Sequence, residues 1–66
     1  VRAAQVIGAA DVLRESALAA ETRAAHAPTG AERQRALNEA TRLHERAAHL
    51  RSLAPVAALR EIGRAA

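Results

Sequence analysis

The chain has 66 residues, with no Cys, Met, Lys or aromatic residue; it is long enough for one domain and excludes disulfides and thiolate metal sites. Half of it is hydrophobic, but 20 residues are Ala and only 13 are larger aliphatics. A lone copy therefore has a thin core that self-association or a parent protein would have to complete. Ten Arg against seven acids give a formal charge of +3, which in the usual reading points to nucleic acid. The same bias toward Ala, Arg, Gly and Pro also follows from GC-rich codons with no function behind it.

The first predicted element is a helix over residues 2–26. Ala3, Val6, Ala10, Leu13, Ala17, Ala20, Ala24 and Ala27 recur at alternating spacings of three and four. Gly8 is its weak point, costing up to about 1 kcal/mol against Ala. Asp11 and Arg14, three apart, share a side and pair weakly. Val12 and Leu18 fall off the stripe, with Ala4, Ala19 and Ala25, where an amphipathic helix should be polar. This helix therefore has two apolar faces.

Residues 27–30 form a turn. Pro28 stops the first helix and biases Ala27 away from helical geometry. Thr29 is the expected N-cap of the next, with Glu32 three residues on in capping-box spacing. The second helix is predicted over 30–53. Ala36, Ala40, Leu43, Ala47, Leu50 and Ala54 repeat as a heptad, Ala at one core position and mostly Leu at the other. Glu32 with Arg35, Arg35 with Glu39, Glu39 with Arg42, and Arg42 with Glu45 sit at pairing distance on its exposed side, at about 0.2–0.5 kcal/mol each. Pro55 predicts a break over 53–55 and opens a short third helix over 55–64, where Val56, Leu59 and Ile62 share a face and Gly63 weakens the end. So short a helix has to dock on the others.

The expected fold is all-α: an antiparallel helical hairpin plus a short third helix, completing a helical bundle by self-association or by docking a partner. Val6, Ala10, Leu13 and Ala17 are the expected seam against Ala40, Leu43, Ala47 and Leu50, with small residues letting the two backbones approach closely. Val12, Leu18, Val56, Leu59 and Ile62 are the expected contacts with a further chain.

The string His44-Glu45-Arg46-Ala47-Ala48-His49 looks like the H-E-x-x-H zinc motif, but its His residues are five apart, not four. Five residues turn a helix by about 500°, so the two rings point about 140° apart and cannot share a metal. His44 instead flanks the seam, and if it lies in an interface its protonation near neutral pH would weaken assembly; His49 can pair with Glu45. His26 suits the negative end of the first helix. Ser16, Thr22, Thr41 and Ser52 have no base in a catalytic arrangement, and the three glycines are isolated. No catalytic residue, metal ligand or cofactor is assigned. Arg35, Arg42, Arg46 and Arg51 are the candidate nucleic-acid contacts, though no aromatic residue is present to stack on bases.

Ala3 to Glu15, AAQVIGAADVLRE, resembles the small-residue helices in the helical-repeat tails of large bacterial transcription regulators. The remainder lacks the aromatics of such tails. Pro28-Thr29-Gly30 likewise lacks the Trp of small secreted hairpins with a Trp-x-Gly turn, so no site is taken from either. No apolar run approaches the roughly 18 residues of a membrane span, and no signal-peptide layout is present. The expectation is a cytoplasmic, non-catalytic protein-interaction or oligomerisation module. Beginning at Val1, it reads as a processed chain or a piece of a larger bacterial protein. Its partner would be itself or another helical segment, not a membrane. The alternative is a basic helical domain that binds nucleic acid through Arg residues of the second helix.

Overall fold

The computed structural model describes residues 2–65. Two helices, α1 (Ala3–Ala25) and α2 (Gly30–Ala65), form an antiparallel hairpin. Arg2 is extended, and its N–H is held by Gln5 Oε1 at 3.2 Å, which sets the start of α1. At the other end His26 Nδ1 donates to the Thr22 carbonyl at 2.9 Å, satisfying one of the carbonyls a helix leaves open at its C-terminus. Thr29 then caps α2: its Oγ1 accepts the Glu32 N–H at 3.1 Å and its carbonyl accepts the Arg33 N–H at 3.0 Å.

The expected break over 53–55 is absent. Helix α2 runs 36 residues straight through Pro55, so residues 55–64 continue α2 and are not a separate third helix. An interior Pro removes one hydrogen bond and crowds the preceding turn, at about 3 kcal/mol or more. Tertiary contact offsets that cost. Beyond Pro55, Ala57 is buried and Ala58 and Glu61 are half-buried. Glu61 Oε1 accepts the Ala3 N–H at 2.8 Å, tying the far end of α2 to the first turn of α1. Pro55 itself is exposed, so its ring points away from the packed side.

The Cα envelope measures 56 × 13 × 11 Å. With Cα atoms about 2.3 Å from each helix axis, that width leaves about 8 Å between axes, the short end of helix packing. The core explains the closeness: its buried members are Val6, Ala10, Ala17, Ala20, Ala24, Ala40, Ala47 and Ala57. Among the described residues four polar contacts cross between the helices: Ala3 to Glu61, Asp11 to Arg51, Glu21 to His44 and Arg23 to Glu39. They join positions whose numbers total 62 to 65. In that register Ala17 is level with Ala47, Ala24 with Ala40, Leu13 with Leu50 and Val6 with Ala57. Leu13, Leu43 and Leu50 are half-buried, because at this separation a Leu lies over the edge of the seam and not between the axes.

Candidate interaction surface

A core made of Ala leaves the larger aliphatics outside. Ile7, Val12, Leu18, Leu37, Leu53, Val56, Leu59 and Ile62 are all 41–68% exposed. All five residues expected to meet a further chain belong to this set. They do not form one patch. At 100° per residue Val12 and Leu18 point about 120° apart, as do Val56 and Ile62.

The structure sorts them onto two flanks. On one flank Val56 joins Leu53, Leu50, Val6, Ala57 and Arg60 around a shallow apolar groove of about 290 Å³. On the other, Ile7 and Leu18 share a stripe of α1 with Asp11 and Arg14, while Leu37 and Ile62 share a stripe of α2 with His44 and Arg51. Two contacts place these stripes on the same side: Asp11 Oδ1 lies 3.9 Å from Arg51 and Glu21 Oε1 lies 2.8 Å from His44 Nε2. Ile7 and Leu37 were not among the expected contacts, although Ile7 lies seven residues before Arg14 and eleven before Leu18, on the same helical face.

Charge is organised across the hairpin. Among the described residues the ion pairs are Arg23–Glu39 at 2.9 Å, Glu21–His44 and Asp11–Arg51, all between helices. The expected pairs along the second helix and the His49–Glu45 pair are absent among those residues. Exposed pairs contribute about 0–1 kcal/mol each, so their role is to hold register more than to add stability. Since a carboxylate only accepts, the contact with Glu21 puts a ring proton on His44 Nε2.

Of the candidate nucleic-acid contacts, Arg35, Arg42 and Arg46 are exposed and lie within about 40° of one another on α2. Among the described residues none of the three is in an ion pair. Arg51 turns to the opposite flank and meets Asp11. Among the described residues no group of three His, Asp or Glu is placed to hold a metal ion, and no helix is long and apolar enough to cross a membrane. Comparison with protein-family models, curated proteins and solved structures finds no match.

Proposed function

We propose that this chain is a helical interaction module whose principal partner is itself, the hairpin being half of a larger bundle. The observation that supports this is the inverted placement of its aliphatic residues. Of the twelve large aliphatics described, Val6 alone is buried and eight are exposed. Single exposed aliphatics are ordinary on a monomer, whereas groups of them gathered on the flanks of so thin a core offer a partner something to cover. Sedimentation equilibrium over a wide concentration range tests it. The expected result is a mass that rises to a multiple of 6.9 kDa; a folded monomer at every concentration refutes self-association.

A second reading has its own support. The Arg35, Arg42 and Arg46 stripe offers three cations to a phosphate backbone. Binding to duplex DNA that falls steeply between 50 and 200 mM salt, and weakens on Arg42→Ala, is the expected outcome of that reading. No binding at 50 mM salt removes it.

A further inference from the structure

Resting on the self-association reading, we propose a specific geometry: two copies pack antiparallel through the flank that carries Ile7, Leu18, Leu37 and Ile62, α1 upon α1 and α2 upon α2, about a two-fold axis crossing between Val12 and Leu13. An isologous contact demands that the same patch be complementary to itself after rotation, and this flank meets that demand on both helices at once.

On α1, Ile7, Asp11, Arg14 and Leu18 are spaced four, three and four, within about 60° of arc. Turned end for end upon itself, the stripe sets Ile7 on Leu18 of the second copy and, in the same register, Asp11 against Arg14. On α2, Leu37, His44, Ala48, Arg51, Pro55 and Ile62 also lie within about 60°. Rotated in the same way, Leu37 meets Ile62, His44 meets Pro55 and Ala48 meets Arg51. Each Arg14 and each Arg51 also comes within three residues, about 4.5 Å, of its own copy, and Asp11, 3.9 Å from Arg51 in the same chain, is the carboxylate placed between them.

The two requirements are independent, because each helix has its own centre. On α1 the centre falls halfway between positions 12 and 13; on α2 it falls between positions 49 and 50. The cross-helix contacts of the hairpin join positions totalling 62 to 65, so these two centres are level. One axis therefore serves both helices. The groove on the opposite flank is lined by one residue of α1, Val6, against five of α2, so it offers no matching stripe on both helices.

The rod has surface to give up. A compact globular chain of 6.9 kDa exposes about 4,000 Å², whereas this rod exposes 4907 Å². The excess is about what one partner gives up in a standard interface, about 800 Å².

Thiol cross-linking with a reagent that spans about 11 Å or less, two helical turns, tests the geometry. Ile7 and Leu18 are each 47% exposed, so Ile7→Cys and Leu18→Cys leave the Ala seam intact. Each variant alone should stay uncrosslinked, because identical positions lie eleven residues apart, about 16 Å. An equimolar mixture of the two should give a covalent dimer. Leu18→Glu should sediment as a monomer with unchanged helical circular dichroism, while Val56→Glu on the other flank keeps the mass of the wild type. Cross-linking of either cysteine variant with itself, or dissociation by Val56→Glu and not by Leu18→Glu, overturns this geometry and leaves self-association standing. A wild-type chain that is monomeric at all concentrations overturns both.

Discussion

At the scale of single residues, the seam tolerates almost nothing larger than a methyl group. Ala10, Ala17 and Ala20 have no exposed surface, and helices about 8 Å apart leave no void for a longer side chain. Ala17→Leu should force the helices apart and destabilise the fold by about 1–3 kcal/mol, the usual range for overpacking, measurable by urea unfolding. Gly8 is the opposite case. It lies in α1 with a helical backbone, and a Cβ there would meet nothing within 4 Å. Gly8→Ala should therefore add about 0.5–1 kcal/mol and raise the thermal midpoint by roughly 4–8 °C per kcal/mol in a chain of this size.

At the scale of elements, α2 is longer than its own sequence would sustain, and α1 is what sustains it. Pro55 opposes helix at that point, while the docking of Ala57 and the bond from Glu61 to the Ala3 N–H favour it. The two contributions separate by mutation. Pro55→Ala should stabilise the chain by up to about 3 kcal/mol, since it restores the backbone bond in the same conformation. Glu61→Ala should cost about 1 kcal/mol, as loss of an N-cap does, with Glu61→Gln retaining part of it. A helical content that drops on Glu61→Ala more than one hydrogen bond explains would show the last ten residues of α2 leaving α1 together. The electrostatic side of the bond is the same as for any carboxylate near a helix N-terminus.

At the scale of the molecule, a rod 56 Å long and about two helices wide has a large surface for its core, which the proposed self-association would cover. Under that proposal folding and association are linked, because a partner that binds only the folded form stabilises it by mass action. The midpoint of thermal unfolding should rise as the chain is concentrated from micromolar to millimolar. A midpoint independent of concentration would mean that the hairpin stands alone, with its aliphatic side chains simply tolerated in water.

Much of the element plan is legible in the sequence because it is local. Heptad spacing sets which side of each helix is apolar; Pro28 and Thr29 mark the turn because one cannot continue a helix and the other can cap one. Pro55 misleads for the same reason: its local chemistry argues for a stop, and the argument that wins comes from α1, more than fifty residues away along the chain. The exposed apolar residues are visible in the sequence as departures from the stripe. Which of them share a flank is not, since that depends on how the two helices are turned toward each other. Sequence alone determined two helices with Ala-lined inner faces, through spacing and propensity. Tertiary structure decided that α2 is unbroken, that charges pair between helices and not along one, and that Ile7 and Leu37 stand with Leu18 and Ile62. All three follow from the register in which one helix lies upon the other, a relation between distant residues that no local pattern encodes.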